Sequence, residues 1–467
     1  MSKEPESNLA SGALGALESI IMGIAGSAPA FSVAVTAAVI VAAVGALSVG
    51  SILFSGLIMF GIMLAFVHLN RMSASAGATY AWVGQVFGPA WGFFAGWGML
   101  VASVIFMVSA TVPAATSTLT LVHEFFGIAD LKENTHWVAL TAAIWLTIVT
   151  VIITKGIKHA SYAQLILTVI EGSIVIALVV AAFKQYGQLP AHPPSWAWFY
   201  AFDTTTFIKG SLIAIFFYWG WDVTLNLGEE SVGGDPSAAG RGAFWSMINL
   251  MLLYIILMIV VLIVLNDSEI AEADTNVLYA IANKLFAPPW NYLAVLSTIL
   301  STIGTIETQI LQFSRGMFAM ARDNALHPRY AKIHPSWQTP WVATLAIWGL
   351  AVLLIFGSSY LPSVKDILDK AVSATCFQIC FYMSLAGFAC AWHYRSTLLQ
   401  GWKAAVLQVI WPLASALFMV FVALYSAAFS FDLITNIVGI GGLLLGFIPL
   451  LLGRMRQRAK QLAIGST

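Results

Sequence analysis

The chain has 467 residues, 60% of them hydrophobic and only 9% charged, with a mean hydropathy of +0.87. A soluble domain carries about 25% charged residues, so a water-facing surface over the whole fold is excluded. The 21 Lys and Arg balance the 21 Asp and Glu, which leaves no basic excess for a nucleic acid, and the polar, acidic residues 1–10 give no expectation of a cleaved signal peptide.

A membrane-spanning helix needs about 20 predominantly apolar residues. On that basis the chain reads as an all-α integral membrane protein with twelve spans. They fall near 14–44, 47–69, 88–122, 137–154, 161–183, 206–230, 242–265, 289–321, 340–357, 369–392, 403–427 and 434–453. An even number puts both termini on one side. With that side cytoplasmic, fifteen of the 21 basic residues fall in inner segments, among them Arg71, Lys155, Arg241, Arg315, Arg329 and the 454–467 basic tail. Such an excess of Lys and Arg marks the cytoplasmic face, so the expected setting is the cell membrane, with lipid as a partner.

The first span is interrupted. Ile24-Ala25-Gly26-Ser27-Ala28 runs into Pro29; a proline lacks an N–H and clashes with the preceding turn, and small residues ahead of it weaken the helix further. Alone, this reads equally as a plain kink or packing face and as a break that serves a site. The sixth span repeats the pattern, with Gly220 and Asp222 in mid-span between Phe216, Phe217, Tyr218, Trp219 and Trp221. Interrupted helices at matching positions of two halves point to a midplane binding site, where half-helix N–H groups hold a carboxylate and freed carbonyls an ammonium.

These segments resemble the amino acid–polyamine–organocation (APC) superfamily of permeases along essentially the whole chain. Gly26-Ser27-Ala28 is similar to that family's first-helix break. Phe217-Tyr218-Trp219-Gly220-Trp221-Asp222, followed by Gly228-Glu229-Glu230, is similar to its sixth-helix break and the acidic end of that helix. Arg315-Gly316-Met317-Phe318-Ala319-Met320-Ala321-Arg322-Asp323, with His327-Pro328 and Thr339-Pro340, resembles the loop after its eighth helix, and Gly88-Pro89 with Gly96-Trp97 the start of its third.

The resemblance implies one transporter domain over 1–453. It would hold a five-plus-five inverted repeat, with halves about 14–184 and 205–392, discontinuous helices 1 and 6, and two appended helices over about 403–453. It implies alternating access driven by a cation gradient or by exchange. The substrate carboxylate would meet N–H groups at Gly26, Ser27 and Ala28. Its amino group would meet carbonyls near Ile24, Tyr218, Trp219 and Gly220, and Phe216, Phe217 and Trp219 would form the side-chain pocket and gate. Some proton-coupled relatives carry a lysine in the fifth helix fifteen residues after a glycine; counting from Gly156 puts Glu171 there, so that lysine's mechanism does not carry over.

Glu171 and Glu307 fall inside apolar spans, where a charge costs about 2.5 kcal/mol or more and is retained facing the bundle interior. Glu171 is therefore the candidate carrier of a coupling proton, with Glu307 and Thr308 near it, and sodium is the alternative ion; a structural hydrogen bond is the plain alternative for both acids. Asp222 reads as a gating acid or a helix-end cap, and Glu18 as interfacial. Cys376, Cys380 and Cys390 read as small buried hydrophobes, and no histidine has metal-ligand spacing. No cofactor is expected. A membrane-embedded enzyme would need a nucleophile and base or a metal cluster at depth, and the spans offer neither. The expected function is transport of amino acids, neutral ones first because no basic side chain stands at the breaks. Amine or polyamine transport and a non-transporting sensor are the alternatives.

Overall fold

A computed structural model describes residues 15–155, 157–230, 236–273 and 276–453. The basic tail at 454–467 and Gly156 therefore lie outside the described residues. Those described are helical, with no strand among them.

The chain opens with α1 (Ala16–Ser27) and α2 (Pro29–Val44), joined by the single residue Ala28. Ala28 takes the left-handed conformation, φ 45° and ψ 75°. A residue before proline is driven out of the α region, and Pro29 then starts α2 at its first position, where a missing N–H costs nothing. After α3 (Ser48–Met72) and the short α4 (Thr79–Phe87) comes α5 (Pro89–Phe126), whose 38 residues rise about 57 Å at 1.5 Å each, well beyond the hydrocarbon thickness. Next are α6 (Thr135–Thr154) and α7 (Ile157–Tyr186).

The second half begins with α8 (Thr204–Phe217), N-capped by Asp203, whose carboxylate accepts from the Thr206 N–H. Residues 218–222 leave the helix before α9 (Val223–Asn226), which precedes α10 (Pro236–Val264). Two short helices, α11 (Asp267–Ala273) and α12 (Val277–Leu285), lead into α13 (Tyr292–Arg322), α14 (Trp341–Ser358) and α15 (Val364–His393). The Trp402–Phe429 and Leu433–Gly453 helices finish the chain.

Ten of these helical stretches are long and apolar enough to cross a membrane, against twelve expected. The first two expected spans fall within one 57-residue stretch, Ala16–Met72, and the sixth is cut short because α8 ends at Phe217. α5, α13 and α15 are the most enclosed, with α5 packed along both of the others, while α7, α14 and the last helix turn Ile166, Val169, Ile176, Leu353 and Leu445 outward. Such an apolar rim has no counterpart on a soluble monomer.

At one end of the bundle Asp432 caps the last helix through the Thr435 N–H and pairs with Lys370. The hydrogen bond from Lys370, then those from Thr435, push the Asp432 carboxyl down to about 2. Because the folded value lies below the unfolded one, this contact stabilises the fold above the ordinary aspartate range and is lost as pH falls through it. Asp432→Asn should therefore lower the melting temperature at about pH 6 but converge on the wild type near about pH 2. A constant offset at both pH values would reject this.

Candidate functional site at the two helix breaks

α1 leaves four carbonyls without helical partners at its end, and each finds one. The Ala28 N–H donates to Ile24 O (3.0 Å) and Ala25 O (3.2 Å). Gly26 O accepts from Thr305 Oγ1 (2.7 Å) and Gln309 Nε2 (3.3 Å), and Ser27 O accepts from Ser32 Oγ (2.8 Å) and Tyr254 OH (2.7 Å). The donors at the start of α2 are likewise held. Ala30 N–H donates to Glu171 Oε1 (3.1 Å), Phe31 N–H to Ser301 Oγ (3.2 Å), and Ser301 Oγ to Glu171 Oε1 (2.8 Å).

The backbone donors expected to meet a substrate carboxylate at Gly26, Ser27 and Ala28 are engaged in this structure. Gly26 and Ser27 lie within a continuous helix, and Ala28 spends its N–H on α1. The half-helix N-terminus with its positive dipole end begins two residues later, at Ala30 and Phe31, and a carboxylate of the protein itself already caps it. Proline shifts the donor set because it supplies no N–H at position 29.

The second break turns on Gly220, at φ 115°, a conformation that side chains rarely tolerate. The two breaks touch backbone to backbone. A Cβ built on Gly26 would lie 2.3 Å from Gly220 O, and one on Gly220 would lie 2.3 Å from Gly26 O and 2.8 Å from Gln309 Nε2. Only glycine on both sides permits that approach.

The aromatic residues of this break divide. Phe216 and Trp219 face α5, where both rings meet Phe106 (5.9 and 5.0 Å between centroids), and Trp219 also stacks on Phe313 of α13 (6.0 Å). Phe217 instead packs edge-on against Tyr254 of α10, and the Tyr218 hydroxyl donates to Ile52 O of α3. Phe217 thus points to another side of the break than Phe216, because consecutive residues at a helix end point about 100° apart.

Asp222 is buried. Its Oδ2 accepts from Gln312 Nε2 (2.8 Å) and Tyr382 OH (2.9 Å), and Tyr382 in turn takes the Trp219 indole N–H (2.5 Å). Gln312 also donates to Asn226 Oδ1 (3.1 Å), whose amide donates to Ala76 O (2.8 Å). Asp222 Oδ1 has no hydrogen-bond partner among the described residues. A cap for α9 is therefore not its role here; the carboxylate points at α13 and α15.

Glu307 is buried too, and its Oε1 is likewise unpartnered among the described residues. Thr308 turns its hydroxyl into its own helix, onto Gly304 O and Thr305 O, so neither it nor Glu307 shares a hydrogen bond with Glu171. Glu171, Asp222 and Glu307 form no ion pair among the described residues.

Beyond α9 the acidic end is clamped to α13. Glu230 receives two hydrogen bonds from Arg315 (3.0 and 3.1 Å) with both side chains almost fully buried, and Glu229 receives two from Arg322 (3.2 and 3.1 Å) while also accepting the Ala76 N–H.

A family model described as amino acid permease matches residues 14–443. The chain belongs to the amino acid permease family. Among the relatives of this permease, the serine/threonine exchanger SteT of Bacillus subtilis is 24% identical over 70% of each chain. The vacuolar cationic amino acid transporter 4 of Arabidopsis thaliana is 24% identical over 68% of this chain and 54% of its own. The branched-chain amino acid permease BcaP of Bacillus subtilis is 22% identical over 46% of this chain and 45% of its own.

Several residues that hold the permease's breaks escaped the sequence reading: Ser301, Thr305, Gln309 and Gln312 of α13, Tyr254 of α10 and Tyr382 of α15. The α13 set carried a signal. Ser301, Thr305, Gln309 and Gln312 recur at four, four and three residues, one polar stripe in an apolar helix, and in a membrane such a stripe needs polar partners across the helix interface. Tyr254 and Tyr382 are single polar atoms in apolar spans and carried none.

Proposed function

We propose that this permease is a secondary transporter that moves amino acids, neutral ones first, by alternating access across the cell membrane. The carrying observation is the contact of Gly26 with Gly220, which brings two interrupted helices together beside Phe106, Phe216, Trp219 and Phe313. The two arginines at the acidic end of the second break are not offered to a second carboxylate, since Arg315 and Arg322 are engaged by Glu230 and Glu229. The twelve-span count follows if Ala16–Met72 makes two passes and α8 with α9 makes one. The five-plus-five repeat is supported by a break in the first span of each half, and cytoplasmic termini by the skew of Lys and Arg.

Coupling is assigned to Glu171. As a carboxylate it caps α2 and holds Ser301 of α13; a proton would weaken both contacts and release α2 for movement. Proton binding would thereby be linked to the change of access. Glu171→Gln keeps the shape but cannot change charge. In proteoliposomes loaded for uptake, this variant is expected to lose its response to an imposed pH gradient while retaining exchange of labelled substrate. A full pH response in the variant would remove Glu171 from the coupling step.

One observation favours a second substrate class. The unpartnered Asp222 Oδ1 suits a donor-rich, cationic amine. A thermal-shift screen of purified protein against neutral amino acids, cationic amino acids and diamines separates the two, because only a ligand of the folded state raises the melting temperature.

A further inference from the structure

Away from the breaks, a cavity of about 630 Å³ opens where the turn after α13 meets α14 and the last helix. One wall is apolar: Val342, Ala346 and Leu350 from α14 face Pro449 and Leu452. Leu350 and Leu452 are both about half exposed, 50% and 47%, so this wall continues onto the lipid-facing surface. The other end is polar and basic. It is formed by His327, Arg329 and Tyr330, in a turn stabilised by the Arg329 N–H donating to His327 Nδ1 (3.2 Å).

Arg329 is exposed and makes no ion pair or side-chain hydrogen bond among the described residues. The last helix reaches the rim at Gly453, close to Ala325 O, and the sequence then continues with Arg454, Arg456, Arg458 and Lys460. An apolar slot open to hydrocarbon that ends at an unpaired guanidinium has the form and charge of a lipid site. Basic pockets between spans on the cytoplasmic side select anionic head groups in this way.

We propose that this cavity seats one anionic phospholipid, its phosphate on Arg329 and an acyl chain between α14 and the Leu433–Gly453 helix. The site is separate from the helix breaks, and its charge argument does not depend on which substrate the permease carries.

The test uses the full chain purified in a neutral detergent, with melting temperature and native mass spectrometry as readouts. Phosphatidylglycerol is expected to raise the melting temperature and to give a bound stoichiometry of one, and phosphatidylcholine to do neither. Arg329→Gln should weaken phosphatidylglycerol binding about fivefold, the value of one basic residue near a membrane surface. Ala346→Trp, which fills the apolar slot, should abolish the bound lipid with the basic end intact. Equal effects of the two lipids would overturn the proposal, as would an equal shift from soluble glycerophosphoglycerol, which marks a free-anion site. Loss of binding on replacing Arg454, Arg456, Arg458 and Lys460 by Gln, with Arg329→Gln still binding normally, would also overturn it by moving the site to the tail. If Arg329→Gln fails to fold, persistence of the bound lipid in Ala346→Trp is decisive against it.

Discussion

Gly220→Ala is expected to abolish transport and to destabilise the protein by about 3 kcal/mol or more. Two costs add. At φ 115° a side chain is strained by about 1–3 kcal/mol, and the new Cβ would lie 2.3 Å from Gly26 O and 2.4 Å from Gly26 C, backbone that cannot rotate aside. Overpacking of that kind adds about 1–3 kcal/mol. Gly26→Ala shares the second cost without the first, with its Cβ 2.3 Å from Gly220 O, so it should be the milder of the two. Gly45 supplies the control: its φ is also positive, at 57°, but nothing lies within 4 Å of a Cβ there. Gly45→Ala should lose only the strain of its positive φ, about 1–3 kcal/mol, and keep uptake. Melting temperature and substrate uptake, measured on all three, test the contact. Near-normal uptake by Gly220→Ala would mean that the two breaks need not touch for transport.

The second large effect belongs to the Glu230–Arg315 pair. Both side chains are essentially inaccessible, at 1% and 0%, so deleting one leaves a buried charge without its partner, at a cost of about 3–5 kcal/mol. Arg315→Met and Glu230→Gln should each be severely destabilised, and the double variant should be markedly more stable than either sum predicts. The Arg322–Glu229 pair has the same two-bond geometry but is 24% and 13% exposed, so its single variants should be milder. A double-mutant cycle on detergent-solubilised protein measures the coupling; additive losses at 230 and 315 would show that the two residues act independently.

The positions of the breaks were legible because proline and glycine act through covalent geometry, which sequence records directly. Pro29 marked the first and Gly220 the second. The family was legible through the order of several short motifs, of which the segment from Arg315 to Asp323 was the most distinctive. What completes the breaks was not legible in the same way. Gly26 O is held by Thr305 and Gln309, 279 and 283 residues away, and Ser27 O by Tyr254, 227 residues away. Such pairings come from helix packing, which a local pattern does not encode. Glu171 was singled out by the cost of a charge in hydrocarbon, yet the group it caps could be identified only from the structure. The partners of Thr308 were not legible for a related reason: a threonine in a membrane helix satisfies its hydroxyl on its own preceding turn as readily as across an interface.

The glycine-to-glycine contact also has an electrical meaning. Where two backbones meet with no room for a methyl group no water fits between them, and such a contact contributes to an insulating layer. A membrane potential drops mainly across its insulating layer, and one elementary charge crossing 100 mV exchanges about 2.3 kcal/mol. Glu171, bonded to Ala30, and Asp222, two residues from Gly220, both lie within a few residues of this layer. A proton passing between the two faces at this depth would cross much of the field in a short step, and turnover of the permease would then draw on voltage as well as on concentration.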